Sequence, residues 1–185
     1  MLARLNHTRL LRYAGLFTWG LVGCWLLSIW LDPSYLQLEP DQLPTLIDVR
    51  ILRWLLVYLT FGAVYWWITR ALGQRQPGFV DHALLLVLTA CAIGVGFFSG
   101  SGLGSALLMV MAGLLPWLLP LRVGVAWLVV GNLAIIPVFV EALEFPILIA
   151  VMQSLLYMGF SSFVFVTALV AKQQAQARDE QGRLN

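Results

Sequence analysis

The chain carries little charge and few groups that do chemistry. Of its 185 residues, 11% are charged, 2 are histidine and 2 are cysteine. Soluble domains are roughly a quarter charged, so the polar surface that would keep a water-soluble domain of this size in solution is missing. Cys24 and Cys91 lie far apart inside apolar runs, which excludes a CxxC pair or a disulfide framework. Two histidines and two cysteines at unrelated depths make no metal site, and no cofactor is expected. The net charge is +2, with no basic patch interleaved with aromatics, so a nucleic-acid partner is not expected. No internal repeat is present, and an inverted-repeat transporter has no support.

Apolar residues dominate instead. They make up 61% of the chain, and the mean hydropathy is +0.87. The partner this composition implies is the lipid bilayer, which a helix crosses with about 20 mostly apolar residues. Charged residues divide the chain into such stretches. Tyr13 to Leu31 lies between Arg12 and Asp32, and Trp54 to Thr69 between Arg53 and Arg70. His82 to Leu121 lacks Asp, Glu, Lys and Arg and is long enough for two crossings of about 20 residues. The glycine cluster Ser99 to Ser105 supplies the turn between them. Val123 to Val140 and Phe145 to Ala171 complete an all-α bundle of six transmembrane helices. The first stretch has a basic start but a long apolar run and no A-x-A site, which reads as a retained span and not a signal peptide.

Lys and Arg collect in cytoplasmic loops. With the N-terminus inside and six spans, Arg4, Arg9, Arg12, Arg70, Arg75, Arg122, Lys172, Arg178 and Arg183 face the cytoplasm. Arg50 and Arg53 alone face outward. Six spans with both termini cytoplasmic therefore fit the charges better than five. Trp30 and Trp54 flank the outer loop and Trp66, Trp67 and Trp117 fall near inner ends, as an aromatic belt would place them. Pro137 is expected to kink the fifth span, and Pro146 to open the sixth.

Few residues inside the spans can do chemistry. Ser99 to Gly102 reads SGSG, close to the GxSG of rhomboid-type intramembrane proteases, but the first position is Ser99. No histidine follows Ser101 to act as its base, so the cluster reads as a hairpin turn. Polar residues at membrane depth are functional candidates by default, and the list here is short: Asn132, Gln153 and scattered Ser and Thr. Each could sense a signal or simply hydrogen-bond between helices. The absence of a charged residue at the bilayer centre argues against an ion-coupled pump. At the outer rim, Arg50 and Arg53 share a helical face near Asp48, Glu141 and Glu144. They could pair with one another, bind a headgroup or peptide, or stand solvated. Asp81 suits a helix N-terminus, and His82 beside it is a conceivable pH sensor or an interfacial ring.

The end of the chain is different in kind. After Ala171, KQQAQARDEQ is made of good helix formers, and nothing before Gly182 breaks the helix. Val170, Ala177 and Leu184 recur every seven residues, a weak seam flanked by Gln174 and Gln181. Residues 1–171 thus form a membrane domain and 172–185 a cytoplasmic helical extension. Six short-looped spans and a last span running into AKQQAQARDEQGRLN resemble the N-terminal membrane region of DesK-type sensor histidine kinases. The resemblance implies a homodimer paired along Val170, Ala177 and Leu184. It further implies a kinase core outside this chain, which holds no phosphoacceptor histidine motif or ATP-binding glycine box, and a response regulator as partner. A bacterial inner-membrane location follows from the same resemblance. The other expectation is a self-contained small membrane protein, such as a permease subunit or an assembly factor.

Overall fold

The computed structural model describes residues 2–31, 43–70, 72 and 77–185, with side chains at 7–28, 51–70, 72 and 77–185. Among the described residues the chain is helical, without strands: α1 (Leu2–Leu31), α2 (Leu43–Arg70), α3 (Phe79–Ser99), α4 (Leu103–Ala112), α5 (Leu115–Leu118), α6 (Leu121–Ala134), α7 (Ile136–Glu141) and α8 (Ile147–Leu184). Among the described residues five apolar helical stretches are long enough to cross a membrane: His7–Ser28, Ile51–Arg70, Phe79–Ser99, Leu121–Glu141 and α8. This is the makeup of a multi-pass membrane protein. The stretch expected as a fourth span is shorter and broken, a 10-residue α4 followed by the single turn of α5.

Proline chemistry explains the breaks. Pro116 has no N–H for the Ala112 carbonyl, and its ring crowds that carbonyl. The helix stops at Ala112 and restarts as α5 with Pro116 in its first turn, where a missing N–H costs little. Pro120 pushes Leu119 out of the helical region, to φ −124° and ψ 151°. The kink expected from Pro137 is a break at Ile135, with Pro137 in the first turn of α7. The glycine cluster turns the chain as expected. Gly100 adopts φ 62°, and its N–H and that of Ser101 both reach the Gly96 carbonyl. The helix resumes at Leu103, inside the cluster.

α4 doubles back along α3 and occupies the centre of the bundle, touching α1, α3, α6 and α8. Every residue from Val110 to Leu119 is buried. Two glycines allow this approach. A Cβ on Gly104 would lie 2.5 Å from the Ala92 carbonyl oxygen and 3.1 Å from the Gly96 nitrogen. α1 and α2 lock together differently, with aromatic rings set into glycine notches. Tyr65 fills the space beside Gly15, Tyr58 that beside Gly23, and Trp19 that beside Gly62. The Trp19 and Tyr58 rings stack at 4.5 Å. Trp19 donates to the Tyr58 carbonyl at 3.0 Å, and the Tyr58 hydroxyl donates to the Trp19 carbonyl at 2.6 Å. Tyr65 donates to the Leu11 carbonyl at 2.9 Å.

Some expectations need correction. α2 begins at Leu43, so Pro44 and Asp48, expected at the end of an outer loop from Asp32 to Asp48, belong to a helix; Arg50 lies in that helix, as its shared face with Arg53 implies. The rest of that loop, with Pro33, Glu39, Pro40 and Asp41, lies outside the described residues, as does Arg75. Trp54 and Trp117 are core residues, not belt residues: Trp54 is 0% exposed and meets Tyr58 edge-on. Trp66 and Trp67 do stand exposed, with the Arg12 and Arg70 guanidinium groups over their faces. The last helix continues through Gly182 to Leu184, because one glycine costs a helix only about 1 kcal/mol.

Substitution Gly104→Ala is expected to lower the thermal midpoint in detergent, at a cost of about 1–3 kcal/mol, because backbone atoms cannot yield to the new methyl. Gly20→Ala meets nothing within 4 Å and is expected to be neutral or stabilising. Equal effects of the two changes would show that the α3–α4 contact is not tight.

Candidate functional site

The polypeptide brings its first and last helices together at one end of the bundle, here the basal end. His7, Leu11, Trp117, Phe163, Thr167 and Ala171 line a groove of about 430 Å³ there. The start of α1 and the point where α8 runs out of apolar sequence thus lie on the same side, with the α5 turn between them.

Lys172, the only lysine of the chain, stands at this junction. Its ammonium donates to the Pro116 carbonyl at 2.8 Å. In a continuous helix that carbonyl would accept from the N–H four residues on, and that residue is Pro120. The missing N–H is replaced by a side chain from α8, which fastens the exit helix to the broken central helix. The expected signal-transmitting helix therefore has a specific connection to the membrane core that the seam residues alone did not suggest. Sequence offers a signal for it in retrospect: two prolines four apart, and one lysine at the end of the last apolar run.

The buried stripe of α8 runs through Ala150, Ser154, Ser161, Phe165, Ala168 and Ala175. Ala175 is fully buried although it lies beyond Lys172, so the root of the extension is held against the bundle. Val170 (44% exposed), Ala177 and Leu184 (87%) lie on the opposite face. Their seven-residue spacing continues back through Phe163 and Leu156, both exposed. The proposed seam is thus one unpartnered face extending along the helix.

Asn132 is buried in α6 at 2% exposure. Its amide donates to the Leu128 carbonyl of its own helix at 2.9 Å, so the side chain does not make the interhelical bond considered for it. Its backbone does: the Ser154 hydroxyl donates to the Asn132 carbonyl, just before the break at Ile135. A hydroxyl from a neighbouring helix is one of the few ways to satisfy such a carbonyl away from water. Gln153 is half-buried on the adjoining turn of α8. Ser154 and not Gln153 makes the contact with α6. Trp127 donates to the Thr89 hydroxyl at 2.9 Å, joining α6 to α3. Asp81 accepts the Gly78 N–H at 2.9 Å and His82 contacts the Gly78 carbonyl at 2.8 Å, so both act at the start of α3.

At the opposite, apical end, Arg53 and Glu141 line one cavity of about 380 Å³. Glu144 is exposed in the next turn, with φ 56°. That turn closes through the Phe145 N–H to the Phe139 carbonyl at 3.1 Å. The side chains of Asp48 and Arg50 lie outside the described ones. Among the described residues no group of three or more His, Cys, Asp or Glu could hold a metal. The geometry provides helix contacts and, at the apical end, a cavity lined by Arg53 and Glu141.

Replacing Lys172 with Met is expected to cost about 1–2 kcal/mol of stability, through loss of a charged donor to a buried carbonyl. Combining it with Pro120→Ala is expected to recover part of that loss, since a backbone N–H at position 120 can serve Pro116 and Leu119 is freed to return to helical geometry. Additive losses in a double-mutant cycle of thermal midpoints would separate the two positions.

Compared with known proteins, the chain matches no family model, no curated protein and no solved structure, and its functional reading rests on the geometry above.

Proposed function

We propose that the chain is the membrane-embedded input region of a two-component sensor histidine kinase. In this reading it crosses the bacterial inner membrane six times and keeps both ends in the cytoplasm. α8 relays a bilayer or small-ligand signal to a catalytic core outside the chain, and two copies pair along Val170, Ala177 and Leu184. The observation that carries the reading is α8 itself. Its 38 residues extend about 57 Å at 1.5 Å per residue, against a hydrocarbon core of about 30 Å. One rigid helix thus joins the apical turn to a polar segment well past the basal end. The Lys172–Pro116 contact supports it, because movement of the broken central helix would be passed directly to the exit helix.

The six-span reading draws support from burial. Leu103 to Leu118 advance only about 24 Å, short for a crossing. Irregular backbone at membrane depth is tolerated where protein surrounds it, and α4 and α5 are surrounded. The nine-to-two division of Lys and Arg favours placing the basal end inside. A change in bilayer thickness costs fractions of a kcal/mol per Å, enough to bias two states of similar energy. A weak seam of Val, Ala and Leu flanked by Gln suits such a balance.

The test is a fusion of the chain to a histidine-kinase core, with one to four residues inserted after Lys172. Each insertion rotates the downstream helix by about 100°. Kinase output is expected to fall and recover with the helical period, returning near four residues. Output indifferent to the number inserted would sink a helix-borne relay.

A further inference from the structure

Three of the membrane-length stretches end at the apical cavity. The stretch in α2 begins at Ile51, that in α3 ends at Ser99, and that in α6 and α7 ends at Glu141. The cavity between them is lined by Arg53, Phe97, Phe98, Ser99, Gly100 and Glu141. It therefore lies where these membrane-length stretches end, and a spanning helix meets lipid headgroups at its ends.

Both charges of the cavity, Arg53 and Glu141, are exposed to it. Arg53 and Glu141 face one space of about 380 Å³ yet form no ion pair or side-chain hydrogen bond among the described residues. Two opposite charges that share a cavity and leave each other unpaired are complementary to a ligand carrying both signs. Phe97 and Phe98 stand edge to face at 5.6 Å and are partly exposed. They give the same space an apolar wall, and an aromatic face attracts an ammonium group as well. Of the lining groups, the Ser99 hydroxyl donates to the Val95 carbonyl and lies 2.8 Å from the Ser101 hydroxyl, which ties it to the turn.

We propose that this cavity binds a phosphate–ammonium zwitterion of the phosphoethanolamine type, with phosphate on Arg53 and ammonium on Glu141. Guanidinium groups match phosphate oxygens with two parallel N–H donors. Glu141 then acts as the selectivity element, because an anionic headgroup without an ammonium brings its charge against the Glu141 carboxylate. The ligand chemistry is shared by a phosphatidylethanolamine headgroup in the bilayer and by a free phosphoethanolamine. This inference does not depend on the relay reading, since the experiment below reads binding and not kinase output.

The test uses the full chain in detergent and native mass spectrometry of lipid adducts. Phosphatidylethanolamine is expected to be retained over phosphatidylglycerol, and Arg53→Gln to lower that retention roughly tenfold, as expected when a charge-assisted contact becomes neutral. Glu141→Gln is expected to abolish the preference, with phosphatidylglycerol adducts rising. A second readout needs no charge change: a fluorine label on Phe98 is expected to shift with phosphatidylethanolamine and not with phosphatidylglycerol. Displacement by soluble O-phosphoethanolamine identifies the free headgroup compound as a sufficient ligand. Resistance to it identifies the bilayer lipid. Equal retention of the two lipids, a preference unchanged in both Gln variants, or a Phe98 signal blind to headgroup overturns the proposal.

Discussion

Pro116 and Pro120 remove two N–H groups from a helix that lies where little water can replace them. Much of the architecture follows from keeping that segment covered. A backbone carbonyl left unserved in an apolar interior costs several kcal/mol, so a broken helix must be enclosed or given a substitute donor. Both solutions appear. α1, α3, α6 and α8 pack around α4, and Lys172 reaches the Pro116 carbonyl from α8. Near the second break the Ser154 hydroxyl donates to the Asn132 carbonyl, one residue before the Leu133 carbonyl that Pro137 leaves without its N–H. α8 thus supplies a donor near each interruption and is tied to the bundle at both.

Close packing of the remaining helices does not come from hydrophobicity, since lipid tails are as apolar as leucine. It comes from shape. Gly15, Gly23 and Gly62 leave notches that Tyr65, Tyr58 and Trp19 fill, and each ring's polar atom ends on a backbone carbonyl of the facing helix. Gly96 and Gly104 let two backbones meet with no side chain between them. These contacts are specific in a way that leucine packing is not. They define one arrangement of α1 against α2 and of α3 against α4, while α8 keeps a long exposed apolar face that runs on past the other helices.

That face connects the fold to the proposed role. Within the membrane, exposed Leu156 and Phe163 meet lipid at no cost. Past Lys172, the same face carries Ala177 and Leu184 into polar surroundings, where an exposed apolar residue gains by finding a partner. Ala175 on the reverse side stays buried, so the helix leaves the bundle in one orientation. A rigid exit with a defined face is what a rotation or a piston needs, and the apical cavity lies at the other end of the same set of helices.

Composition and charge spacing determined that this is a helical membrane protein, where its apolar stretches lie and that its last helix runs on into polar sequence. Those properties are local: each depends on the run of residues within about 20 positions. The turn at Gly100, the break at Pro137 and the start at Pro146 were legible for the same reason, because glycine and proline act on their own backbone. Only the tertiary structure decided that Trp54 and Trp117 are core, that α4 is central, and that Arg53 and Glu141 share one cavity. Burial within a bilayer protein does not follow from apolarity, as lipid-facing and protein-facing residues have nearly the same composition. The Lys172–Pro116 contact joins residues more than fifty positions apart, and Asn132 uses its backbone carbonyl and not its amide to meet α8. Which helix lies beside which is settled by notches, orphaned carbonyls and ring shapes, and these are paired only when the chain is folded.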